Sequence, residues 1–408
     1  MASKRVTFTN AEDISLAARL DLPTRNRPDA FALFAHCFTC SKDLRAVGAI
    51  SRALNRQNIG VLRFDFTGLG ESEGDFSKTN FSSNVGDLEA AAEFLEAEYQ
   101  APRILIGHSL GGAAVLQAAE RVPSAEAVST IAAPYDPEHV TRHLDDALEE
   151  IQSSGEAQVT LAGRSFTIRK QFLDDLAATR MEETIRTLER ALLVFHSPVD
   201  RTVGVGNAAR IFEAAKHPKS FVSLDDADHL LTDVDDAEYV GTVLGAWARK
   251  YVDFSPDEQP PAEGEVVTRT EDAYRTEVTA GRHALVSDEP ESVGGTDAGP
   301  TPYDFLLTAL GSCTGMTLRM YADRKDWPLE EARVHLSHEK VHATDCDHCD
   351  VEDGKIDRIQ RHIELTGDLT PEQRERLLEI ANKCPVHRTL HREIDVQSAL
   401  RGAAVETG

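Results

Sequence analysis

The sequence predicts two domains of different class, an α/β domain on a mostly parallel sheet followed by a smaller α+β domain. Three observations carry this. Strand-like apolar runs alternate with helical stretches through residue 254. Residues 255–264, rich in proline, acid and glycine and without periodicity, then read as a linker. From 265 to 408 the alternation gives way to short strands and two helices.

Composition narrows the function. A hydrophobic fraction of 41% suits a globular domain, and no apolar run approaches membrane-spanning length, so no membrane partner is expected. The start, Met1 to Phe8, lacks an apolar signal region, which predicts a cytoplasmic location. With 69 acidic and 43 basic residues the net charge is −26, which repels phosphate backbones and argues against nucleic acid. It also suits a salt-rich cell interior. Six cysteines are too few for a secreted disulfide framework.

In chain order, residues 4–9 and 15–22 alternate as two antiparallel strands, and 30–35 form a fully apolar strand ending in His36-Cys37-Phe38. A helix over about 43–57, a strand at 60–65 and a helix near 82–98 follow. Strands are expected at 126–132, 191–196 and 219–224. The connection from about 135 to 188 is too long for a simple crossover and reads as a cap with a small hairpin between helices.

The centre of this domain is Arg103-Ile104-Leu105-Ile106-Gly107-His108-Ser109-Leu110-Gly111-Gly112. A buried strand runs into a sharp Gly-His-Ser-Leu-Gly turn and then a helix. Glycines beside the serine let strand and helix approach, which lifts Ser109 clear of the sheet with the Leu110 N–H aimed at the same space. Asp200 follows the strand at 191–196, and His229 follows the strand at 219–224. In that order Ser109 is the nucleophile, His229 its base and Asp200 the group that orients the imidazole. Asp225, Asp226 and Asp228 crowd the histidine but read as a solvated acidic edge.

These residues resemble the α/β-hydrolase fold over residues 1–254. The resemblance implies esterase or thioesterase chemistry on a small-molecule ester through an acyl-serine, without cofactor or metal. It implies an oxyanion hole from the N–H groups of Leu110 and Phe38. Cys37 stands where the family usually has glycine after the histidine. The Cys37-x-x-Cys40 spacing permits a redox pair, or two small residues packed near the site.

Behind the linker, 266–270, 273–279 and 283–287 alternate as an antiparallel meander. A helix from Pro302 to Tyr321 is apolar all round and is expected to be buried inside a dimer. Strands at 332–342 and 356–366, a helix from Pro371 to about Lys383 and a last strand near 392–396 complete the pattern. Cys313 lies among Gly311, Ser312 and Gly315, which leave room for a small ligand, and Cys384 ends the second helix.

Pro302-Tyr303-Asp304-Phe305-Leu306-Leu307 running on to Gly311-Ser312-Cys313, and Cys384-Pro385-Val386-His387-Arg388-Thr389-Leu390, resemble the OsmC/Ohr family over 265–408. That implies a thiol peroxidase in which Cys313 attacks an organic hydroperoxide, Cys384 resolves it and a dithiol restores both. It also implies a homodimer, with Asp304 as the supporting acid for an activating arginine among Arg269, Arg275 and Arg282. Fusion of such a domain behind an α/β-hydrolase is itself a known arrangement, which the whole chain resembles. Cys346 and Cys349, with histidines nearby, are open to reading as a metal knuckle, a dithiol or an exposed hairpin tip. No metal is assigned.

The expected function is a serine hydrolase fused to a cysteine-based organic hydroperoxide reductase, with a role in oxidative stress. The alternative is a redox-responsive stress or binding protein whose hydrolase half is weakly active.

Overall fold

The computed structural model describes residues 2–23, 28–38, 40–144, 147–161, 164–254, 261–270, 273–281, 283–342 and 355–400. The chain divides into two compact units, Met1–Pro260 and Pro261–Gly408.

In the first unit the strands are β1 (Ala2–Thr9), β2 (Ser15–Leu22), β3 (Ala30–Ala35), β4 (Ile59–Phe64), β5 (Pro102–His108) and β6 (Ala127–Ile131). Beyond the cap come β9 (Ala191–His196) and β10 (Lys219–Ser223), and together they form one sheet in the order β1-β2-β4-β3-β5-β6-β9-β10. Only the β1–β2 and β2–β4 pairings are antiparallel. The central β3 is apolar throughout because it is buried on both faces. Its Phe31, Leu33 and Ala35 enter one core, and its Ala30, Ala32 and Phe34 enter the other. Helices α1 (Arg45–Arg56) and α8 (Val234–Ala248) cover the second face. Helices α2 (Phe81–Glu98) and α3 (Leu110–Ala118) cover the first.

The cap consists of a 3₁₀ turn at Pro137–His143, α4 (Leu148–Ser154), the hairpin β7 (Glu156–Leu161) and β8 (Arg164–Arg169), then α5 (Lys170–Ala178) and α6 (Met181–Arg186). The last element before β10 is α7 (Gly206–Ala214).

The second unit opens with the meander β11 (Val266–Thr270), β12 (Thr276–Ala280) and β13 (His283–Ser287). The long helix α9 (Pro302–Arg324) follows, then the hairpin β14 (Glu331–His342) and β15 (Lys355–Thr366). Helices α10 (Pro371–Ala381) and α11 (Pro385–Leu390) close it.

Within one unit the long helix is covered on one side only. Helix α9 buries only the stripe Leu310, Thr314, Leu318 and Ala322, while Met316 and Met320 stand 67% and 73% exposed. One unit supplies packing partners for one side of the helix only. The expected strand near 392–396 does not form, since Ile394 and Val396 are exposed and nothing among the described residues pairs with them. In its neighbourhood α11 appears instead, because Pro385 occupies a first helical position where its missing N–H costs nothing and Cys384 caps it. Cys346, His348 and Cys349 lie outside the described residues.

Candidate active site

Ser109 sits between β5 and α3 at φ 55° and ψ −124°, a backbone conformation that L-residues rarely adopt. Close packing forces this turn. A Cβ on Gly107 would stand 2.2 Å from the Gly111 carbonyl oxygen, and one on Gly111 would stand 2.5 Å from those of Ala35 and His36. The Ser109 N–H is satisfied by the Ile131 carbonyl at 2.8 Å, so the strain is held by the sheet.

The side chains of Ser109, His229 and Asp200 come together from three loops. His229 Nδ1 donates to Asp200 Oδ2 at 2.8 Å, so its Nε2 is bare and accepts from the Ser109 hydroxyl at 3.0 Å. Burial pushes the Asp200 carboxyl up, but the bond from His229 and those from the Thr202 and Val203 N–H groups outweigh it. The carboxyl therefore lies below the ordinary carboxylate range.

Two further histidines, to which the sequence motifs assign no role, hold these loops. His108 is buried, and its Nε2 donates to the backbone carbonyl of His229 at 2.6 Å. Burial, aided by the neighbouring His229, pushes its pKa down to about 4, so the ring is neutral. His196 Nε2 donates to the Val203 carbonyl at 2.6 Å, which ties the Asp200 loop to β9, and burial lowers its pKa too. Asp228 is more than a solvated edge: it accepts from the N–H groups of Leu230 and Thr232 and from the Thr232 hydroxyl, folding the turn that carries His229.

Phe38 and Leu110 line one small apolar cavity of about 10 Å³, together with Phe66, Leu69 and Phe76. The ring of Phe38 stacks on Phe172 from the cap at 5.6 Å and lies 5.7 Å from Phe76. That side of the site has room for about one water molecule, so the aromatic cap leaves little space beside the Phe38 and Leu110 backbones. Cys37 and Cys40 are joined in a disulfide, so of the two readings their spacing left open the cysteines form a pair. A separation of three in a tight loop brings the two Cα atoms to 5.3 Å, within disulfide reach.

In the second unit Cys313 is half-buried and Cys384 buried, and both are free thiols. Cys384 Sγ accepts from the His387 N–H at 3.3 Å and lies 3.7 Å from the Thr314 hydroxyl, the residue next to Cys313. Arg361 on β15 donates to the Thr314 hydroxyl at 2.9 Å, the Ala381 carbonyl and Asn382 Oδ1. Arg282 lies outside the described residues, Arg269 stands on β11 and Arg275 precedes β12. Asp304 stands in the first turn of α9. Its carboxylate accepts from the Thr301 N–H and hydroxyl, closing a capping box at the start of α9.

A mostly parallel sheet, a strained serine on its elbow and an Asp–His–Ser relay from the ends of β5, β9 and β10 define an α/β hydrolase. The chain belongs to the α/β-hydrolase family and carries an OsmC-like domain behind it. The profile of the family Serine aminopeptidase, S33, matches residues 28–153, and that of OsmC-like protein matches residues 295–399. The esterase domain of a Rhodothermus marinus protein is 56% identical, with a TM-score of 0.52 covering 62% of this chain and 99% of that one. Mouse alpha/beta hydrolase domain-containing protein 10 shares the fold at 19% identity and a TM-score of 0.51, over 60% of this chain and 99% of its own. The YfhR protein of Salmonella typhi is 23% identical over 236 residues, 56% of this chain and 75% of its length. Among the described residues no helix is long and apolar enough to cross a membrane.

Proposed function

We propose that this protein hydrolyses small carboxyl esters or thioesters through an acyl-enzyme on Ser109 and reduces organic hydroperoxides through Cys313 and Cys384. The observation that carries the first activity is the relay from Asp200 through His229 to the Ser109 hydroxyl. His229 takes the serine proton as Oγ attacks the acyl carbon, and Asp200 stabilises the imidazolium that forms. The N–H groups of Leu110 and Phe38 receive the oxyanion. His229 then protonates the leaving alcohol or thiol, and water repeats the sequence on the acyl-serine. The filled cavity beside Phe38 favours short acyl groups such as acetyl.

Replacing the nucleophile is expected to lower turnover about a millionfold, because the three residues act as a unit. The assay is steady-state hydrolysis of p-nitrophenyl acetate by Ser109→Ala, and near-wild-type rates would overturn the assignment. A preference for long acyl chains in a chain-length series would overturn the short-acyl reading.

The half-buried Cys313 is the thiol that an approaching hydroperoxide can meet, and Cys384 lies behind Thr314 to resolve it. The Cys313 thiolate attacks the terminal oxygen, releasing an alcohol and leaving a sulfenic acid. The Cys384 thiol condenses with it to a disulfide and water, and a dithiol reduces the pair by exchange. One equivalent of cumene hydroperoxide is expected to remove two hydrogens and link Cys313 to Cys384 in peptide mass maps. Repeated turnover with a dithiol distinguishes a peroxidase from a sensor, which consumes one equivalent and stops.

A further inference from the structure

The loop from His36 to Lys42 carries the second proposed oxyanion donor, and its backbone is held at several points. The Cys37 carbonyl accepts from His36 Nδ1–H at 2.8 Å and from the Cys40 N–H at 3.1 Å. The peptide joining Cys37 to Phe38 is planar and trans, so fixing its carbonyl aims the Phe38 N–H in the opposite direction, away from the His36 ring. Phe38 and Leu110 line the same cavity, and the start of the loop lies against Gly111 in the first turn of α3. At the far end, the Lys42 N–H and Nζ donate to the two oxygens of buried Asp65 at 2.7 and 2.6 Å. Between these anchors the Cys37–Cys40 disulfide closes a ring around Phe38 itself.

We propose that the Cys37–Cys40 disulfide is a redox-sensitive clamp on the oxyanion donor, so that the hydrolase half is fast when the pair is oxidised and slow when a dithiol reduces it. Cys37 and Cys40 are positioning residues, since they act through the Phe38 N–H and touch no reacting atom. A dithiol opens the disulfide by exchange, giving two protein thiols and the oxidised reagent, with two electrons and two protons passed to the cysteines. Cys37 is 3% exposed and Cys40 is partly exposed, so attack falls on the Cys40 sulfur. Once opened, the loop regains backbone freedom, and the Phe38 N–H spends only part of its time aimed at the oxyanion. Losing an oxyanion donor outright lowers kcat about 100- to 1,000-fold, so a loosened one is expected to lower it about tenfold. KM is expected to stay within about twofold, because the donor acts on charge that develops in the transition state.

This inference rests on the Ser109 reading, and the experiment separates the two. The full chain is assayed with p-nitrophenyl acetate before and after treatment with dithiothreitol and its removal. Peptide mass mapping reports the state of Cys37 and Cys40, and a fluorophosphonate probe labels the nucleophile. The expected result is a kcat about tenfold lower on reduction, recovered on reoxidation, with the same response in Cys313→Ser/Cys384→Ser. Cys37→Ala/Cys40→Ala is expected to be slow at the outset and indifferent to dithiothreitol. Should that variant not fold, the wild-type reduction series decides alone. An unchanged kcat despite a mapped change from disulfide to thiols overturns the clamp, as does a pair that stays reduced under air or diamide. Absence of probe labelling at Ser109 in either state overturns the serine hydrolase reading instead.

Discussion

His108 offers a sharp test of how this site is held together. Its ring is 4% exposed, donates to the His229 carbonyl at 2.6 Å, and has its pKa pushed from the ordinary 6.5 down to about 4. The folded state therefore binds fewer protons than the unfolded chain between those two values. Stability from this group is complete above the unfolded pKa and is lost as pH falls toward 4. At pH 5 the loss is about 2 kcal/mol, and at pH 4 and below it approaches about 3 kcal/mol. For a domain of this size about 2 kcal/mol lowers Tm by roughly 4–8 °C. Glutamine at this position can still donate to the His229 carbonyl but does not titrate. Thermal unfolding of the first domain at pH 7 and pH 5 is compared for wild type and His108→Gln. His36 and His196, whose pKa values burial also lowers, are present in both proteins and cancel in the difference. The gap between the two pH values is expected to shrink by about 4–8 °C in the variant. An equal gap in both proteins would refute the buried neutral histidine.

Lys42, 1% exposed and bonded to Asp65 and Glu71, is expected to be a strong stability site, because Lys42→Met strands a fully buried carboxylate. Breaking such a pair costs about 3 kcal/mol, or roughly 6–12 °C in Tm by scanning calorimetry, and a fall under about 2 °C would refute it. Met316 and Met320 are expected to sit in a subunit interface, so light scattering should find about twice the 44.7 kDa chain mass for wild type. The mass should fall to that of one chain for Met316→Asp/Met320→Asp; a monomeric wild type at micromolar concentration would refute the interface.

Much of the fold could be read from local pattern. β3, β5 and β9 are apolar runs of strand length bounded by turn residues, and α2 and α9 open on capping residues. Thr301-x-x-Asp304 is also legible as a capping box. The missing strand near 392–396 shows the opposite limit, for alternation alone cannot form a strand that has no partner.

The sequence by itself determined the elbow at Ser109 and the order Ser109, Asp200, His229. Backbone geometry at the turn demands glycine at 107 and 111, and a doubly covered parallel sheet delivers its loops at one end. Only the tertiary structure decided how those groups are held. His108 meets the His229 loop across 121 positions and Arg361 meets Thr314 across 47, while Lys42 reaches Asp65 on a neighbouring strand end. The Cys37–Cys40 disulfide required a loop conformation that spacing allows but does not impose. The reason is physical. Chain periodicity and turn chemistry act over a few residues, whereas burial, proton affinity and hydrogen-bond partners depend on which distant segments pack together.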